Sequence, residues 1–129
     1  MLKIINFYPD KPNGKSVETI NPEKLPLPPG FSIEKVHFSY LSPGSWAGNH
    51  KHSRIELFVS YDALHLFWLD EEGNKHEEVM GRGEGESIKI FVVESQTPHL
   101  IINKGATAAT YVELCNGKLN DVAEMDLLE

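Results

Sequence analysis

Three residues in one short stretch, His50, His52 and Glu56, are the part of this 129-residue chain whose types and spacing could do chemistry. Imidazole and carboxylate together suit divalent transition metals such as Zn, Fe, Mn, Ni or Co. His50 and His52 are two apart, so in an extended chain they face the same side, and Glu56 shares their parity. A straight strand would still separate His50 from Glu56 by about 20 Å, at roughly 3.3 Å per residue. One ion cannot bridge that distance, so the chain must bend, and Ser53-Arg54 is the expected place. A fourth ligand has to come from another strand. His99, directly behind Pro98 at the start of an expected strand, is the candidate. An isolated His-x-His is ordinarily a surface accident; it is the company of Glu56 and His99 that gives this one meaning.

The elements that would carry these residues read as β-strands. Val36, Phe38 and Tyr40 alternate with His37, Ser39 and Leu41, a period of two. Ser42-Pro43-Gly44 marks a turn. Strands are then expected over 55–60, 64–70, 75–80, 87–93, 99–103 and 108–114. The hairpin signal Glu71-Glu72-Gly73-Asn74 joins the second to the third. Many short strands at such spacing suggest a sandwich or barrel. Residues 1–30 contain Lys11-Pro12-Asn13-Gly14 and Leu25-Pro26-Leu27-Pro28-Pro29-Gly30, a proline density that excludes helix and central strand. They read as an N-terminal arm with an edge strand near Ile4 to Phe7. The domain then runs over 31–129, with a short acidic tail from Asn116 that has room for one short helix. Tyr111 and Glu113 fall on a late strand, read here as one on each face, and His65 sits in the strand at 64–70. These three are the candidate proton carriers.

Composition narrows the function classes. The net charge of −7 opposes phosphate backbones and anionic membranes, so neither a nucleic acid nor a membrane is expected as partner. The single cysteine, Cys115, allows no internal disulfide and reads as a small buried apolar residue. Residues 1–10 are too short and too polar for a secretory segment, and stretches such as Leu64 to Leu69 fall far short of the about 20 residues that span a bilayer. A cytoplasmic location and a small-molecule substrate are the expectation.

The chain resembles the cupins. Gly44, His50, His52 and Glu56 match their first motif, G-x5-H-x-H-x3,4-E-x6-G, with Ala63 where the closing glycine would stand. His99 and Asn103 match the end of the second motif, G-x5-P-x-G-x2-H-x3-N. Its proline and second glycine positions hold Glu94 and Gln96, and Gly85 lies too far upstream for its first glycine. The resemblance covers roughly 36–114. It implies an all-β fold, a double-stranded β-helix (jelly-roll) barrel, with His50, His52, Glu56 and His99 as ligands of a divalent metal pointing inward. The run from Gly48 to His52 with Glu56 is similar to small bacterial cupins of nucleotide-sugar and polysaccharide biosynthesis. That similarity implies an isomerase or epimerase acting on a small carbonyl or sugar substrate, and a homodimer. A non-catalytic binding module and an iron-dependent dioxygenase share the same ligand set. A second polar layer above the metal would favour proton-transfer chemistry. The two arginines, Arg54 and Arg82, offer little for a diphosphate.

Overall fold

The computed structural model describes residues 1–14, 16–117 and 121–128. Among the described residues ten strands follow one another: β1 (Leu2–Phe7), β2 (Lys35–Leu41), β3 (Trp46–Lys51), β4 (Glu56–Val59), β5 (His65–Leu69), β6 (Lys75–Val79), β7 (Ile88–Val93), β8 (His99–Ile102), β9 (Ala109–Cys115) and β10 (Ala123–Glu124). They form two five-stranded sheets, ordered β1-β7-β4-β9-β2 and β10-β3-β8-β5-β6. Every pairing is antiparallel. This is the jelly-roll barrel that the resemblance implied, one of the two architectures, sandwich or barrel, that the strand spacing allowed.

The interior forms where the inward faces of the two sheets meet. Leu41, Phe58, Phe91, Val93 and Tyr111 of the first sheet pack with Leu66 and Ile101 of the second, joined by Leu64 and Met80. Strand β7 is buried along most of its length. Its Ile88, Ile90 and Val92 point the other way, into a second apolar cluster with Leu57, Leu114, Leu25 and Phe31. That cluster explains the proline-rich opening of the chain. Leu2–Phe7 pairs with β7 as an edge strand, Asp10 bridges Thr19, and Pro22–Lys24 forms one 3-10 turn. Leu25 and Phe31 then lie buried on the outer face of the first sheet. The first thirty residues thus cover their own barrel.

The tail differs from the expected helix. Its described residues, 116–117 and 121–128, hold no helix; Ala123–Glu124 instead pairs with β3. The free edge of β3 offers backbone partners that an isolated short helix would have to find within itself. Residues 118–120 of the tail lie outside the described residues. Cys115 is fully buried. No helix among the described residues is long and apolar enough to cross a membrane.

Candidate metal centre

The segment that carries the first three candidate ligands crosses from one sheet to the other. His50 lies on β3, in the second sheet, and Glu56 opens β4, in the first. Between them the chain bends at Ser53-Arg54, where the spacing argument put the bend. A second irregularity was not read from the sequence. Ala47 pairs with Ile101 and Gly48 with Leu100, but His50, rather than Asn49, pairs with His99. This is a β-bulge, and it shifts the alternation of side chains by one residue. Ala47 and Ile101 both line the central cavity. An unbroken ladder would set Asn49 opposite His99 and turn His50 outward. The bulge turns His50 inward instead. Gly48 permits it with φ of 91°, where a Cβ would come to 3.0 Å from the His99 carbonyl oxygen. Asn49 follows at φ of 66°, a conformation that Asn tolerates better than most residues.

His50, His52 and His99 converge. Their potential ligand atoms all lie within 4.8 Å of one another, and the ring centroids are 4.9–5.0 Å apart. Glu56 joins through Oε1, at 3.0 Å from His52 Nε2 and 3.1 Å from His99 Nε2. His52, Glu56 and His99 are each 2% exposed or less. The other end of each group is tied down. His52 Nδ1 donates to the Arg54 carbonyl at 3.1 Å, and His99 Nδ1 to the Thr97 carbonyl at 2.8 Å. Glu56 Oε2 accepts from Arg54 Nε at 2.9 Å and lies 2.7 Å from its Nη2.

These tethers test whether a cation fits. A carbonyl oxygen only accepts, so each Nδ1 carries its hydrogen, and a neutral ring then presents the Nε2 lone pair. For His52 that lone pair meets Glu56 Oε1, another acceptor. Neither His52 Nε2 nor Glu56 Oε1 has a hydrogen-bond partner, although both are buried. Two buried acceptors in contact are stable only with positive charge on or between them. Burial, with His99 and His52 close by, lowers the His50 pKa to about 4, which keeps its ring neutral near pH 7. Three imidazoles and one carboxylate fit a divalent transition metal. The Nδ1–H bonds to carbonyls are the usual outer tethers of metal-bound histidines.

Above this group lies a cavity of about 200 Å³, lined by Ala47, Gly48, His50, Arg54, Glu56, Phe58, His99, Ile101, Tyr111 and Glu113. Tyr111 and Glu113 share its wall. The opposite-face reading of this pair is corrected, because residues two apart on a strand point the same way. Glu113 Oε1 accepts from His37 Nδ1 at 2.9 Å, and its Oε2 from Arg54 Nη2 at 3.4 Å. Burial pushes Glu113 above the usual carboxylate range, reinforced by Glu56 and opposed by Arg54. Burial also works against the charge on Glu56, which the Arg54 guanidinium beside its Oε2 supports. Tyr111 is raised by burial. His65 is placed elsewhere: its Nδ1 contacts Glu77 Oε2 at 2.6 Å, and it does not line the cavity. Arg54, His37 and Asn49 were not singled out by sequence reasoning. The signal for Asn49 was present in the Gly48-Asn49 pair, two residues that accept positive φ beside a ligand.

Fold and site together are a double-stranded β-helix (jelly-roll) barrel in which three histidines and one carboxylate converge. Solved structures with the same fold include a 3,4-ketoisomerase from Helicobacter canadensis: 18% identity, TM-score 0.70, covering 93% of this chain and 86% of that one. A variant of the 3,4-ketoisomerase of Thermoanaerobacterium thermosaccharolyticum, in complex with TDP-4-keto-6-deoxyglucose, has 9% identity and a TM-score of 0.69, covering 93% and 83%. The capsular polysaccharide assembling protein CapF of Staphylococcus aureus matches at 17% identity and a TM-score of 0.63; 75% of this chain aligns with 29% of that one. No protein-family model and no curated protein matches the chain.

Proposed function

We propose that this chain is a metal-dependent isomerase acting on a carbonyl sugar, with His50, His52, Glu56 and His99 as the metal ligands. The observation that carries the reading is the buried contact of two unpartnered acceptors, His52 Nε2 and Glu56 Oε1, inside a ring of imidazoles. A divalent metal bound there supplies Lewis-acid polarisation of a carbonyl oxygen.

The second polar layer favours proton transfer over passive binding. In a ketone shift, the carbinol carbon loses its C–H and O–H protons, and the neighbouring carbonyl carbon and its oxygen gain one each. Electrons stay within the substrate. Glu113 stands on the cavity wall as the group that moves the carbon-bound proton. Tyr111 lines the same wall and moves the oxygen-bound one in this reading. Arg54 and His37 hold Glu113 in place. The ketoisomerases of the same fold support the sugar. Both arginines are engaged, Arg54 with Glu56 and Glu113 and Arg82 with Glu18. Recognition therefore centres on the sugar ring, with any nucleotide outside the cavity.

A homodimer accompanies this reading. It is supported by the edge strand β2, whose Phe38 and Tyr40 are 83% and 67% exposed. Phe38→Asp should convert a dimer to a monomer in sedimentation; a native protein already monomeric at high concentration removes the dimer.

The reaction is tested with metal-loaded protein in D2O, using TDP-4-keto-6-deoxyglucose and a free keto-sugar as probes. Deuterium should enter at the carbon beside the ketone, and Glu113→Gln should abolish this. If the native protein exchanges neither probe, the isomerase reading fails.

A further inference from the structure

The bulge that turns His50 and His52 inward has a second attachment, to the far end of the chain. Asn49, in its left-handed conformation, is gripped twice by the segment 121–127. Its backbone oxygen accepts from the Met125 N–H at 2.9 Å, and its side-chain Oδ1 accepts from the Leu127 N–H at 2.7 Å. Leu127 is 2% exposed, so this is a packed contact and not a surface touch. The same segment runs along residues 49–53. Glu124 pairs with His50 and Ala123 with Lys51. Asp121 accepts from the Ser53 N–H through Oδ1 at 3.1 Å, at the bend toward Glu56. Its Oδ2 accepts from Gln96 Nε2 at 3.3 Å, and the Gln96 N–H bonds the His52 carbonyl at 2.7 Å.

A bulge is the least constrained part of a ladder, because its extra residue has no partner across the strand pair. Here that residue finds its partners in the tail. Relaxing the bulge into the regular register would turn His50 away from His99. We infer that segment 121–127 is a strap that holds the Gly48-Asn49 bulge in register, so that Asn49 and Leu127 are positioning residues for the metal-binding histidines. This rests on the metal reading above. The strap's hydrogen bonds to the ligand segment run to its backbone and to the Asn49 side chain, so they hold the course of the chain there.

The test uses the full-length protein. Asn49→Gly keeps the positive φ but removes the Oδ1 acceptor. Asn49→Asp keeps both. Leu127→Ala loosens the strap from its own side. Amide hydrogen exchange of residues 50–53 is followed in metal-free protein, and Co²⁺ affinity is measured against a competing chelator. The expected result is exchange at 50–53 at least tenfold faster in Asn49→Gly and Leu127→Ala, with Co²⁺ bound about 10–100-fold more weakly and native values retained in Asn49→Asp. Exchange at 50–53 that stays native in both weakened variants overturns the strap, whatever happens within 121–127. A native protein that takes up no Co²⁺ overturns the metal reading instead, and the exchange measurement still decides the strap.

Discussion

The barrel interior has two regions of opposite chemical character. One is dry: Leu41, Leu64, Leu66, Met80 and Phe91 pack with no side-chain polar atom to satisfy. The other is the polar group of His50, His52, Glu56, His99, Arg54 and Glu113. Phe58, Ile101 and Tyr111 mark the border, each belonging to the apolar cluster while lining the cavity. Phe58 stands 5.8 Å, between ring centroids, from both His99 and Tyr111. Burial stabilises the first region directly. In the second, burial opposes the charges and leaves facing acceptors, a cost that a bound cation would offset. The fold draws its stability from one region and holds its reactive groups in the other.

The comparison is broken most severely on the dry side. Phe91 is fully buried, and Phe91→Ala should cost about 3–5 kcal/mol in urea unfolding. A loss below about 1 kcal/mol would mean that this region is not close-packed. On the polar side the same kind of change should behave differently. Glu56→Gln replaces the facing acceptor with an amide whose NH2 can donate to an imidazole Nε2 while its oxygen still accepts from Arg54. Metal-free stability should stay within about 1 kcal/mol of native, the net worth of a typical hydrogen bond. Metal stabilisation is what disappears. At 100 times the dissociation constant, a metal should raise native stability by about 2.7 kcal/mol, and Glu56→Gln should lose most of that gain in paired unfolding curves. An equal gain in both proteins would remove Glu56 from the ligand set. The smallest structural effect belongs to the border. Tyr111→Phe should change stability by less than about 1 kcal/mol and leave metal uptake intact. It should slow solvent-deuterium exchange into the substrate by about 100-fold, as loss of a proton carrier does. Exchange at the native rate would leave Tyr111 as packing only.

Much of this arrangement was legible in the residues. Alternation in Val36 to Leu41 and the turn at Glu71 to Asn74 marked strands that the structure contains. The distance between His50 and Glu56 forced a bend, and the bend is there because the chain changes sheets. Three features were not legible. The bulge at Gly48-Asn49 depends on a tail more than 70 residues away in sequence, and periodicity reports only local chain. Strand β7 reads as apolar apart from Lys89 because both its faces are covered, one by the barrel and one by the proline-rich opening segment; prolines mark where a strand cannot be but not what the chain lies against. His65 was read as a candidate for the interior and for proton transfer, but parity alone cannot say which face of a strand is the interior until its partners are known.

Metal stoichiometry of the purified, reloaded protein tests the centre most directly, measured by elemental analysis beside a His50→Ala, His52→Ala double variant. The account expects about one divalent ion per chain in the native protein and none retained by the folded double variant. A native protein that holds no metal after reloading, or a double variant that holds as much as native, would contradict it.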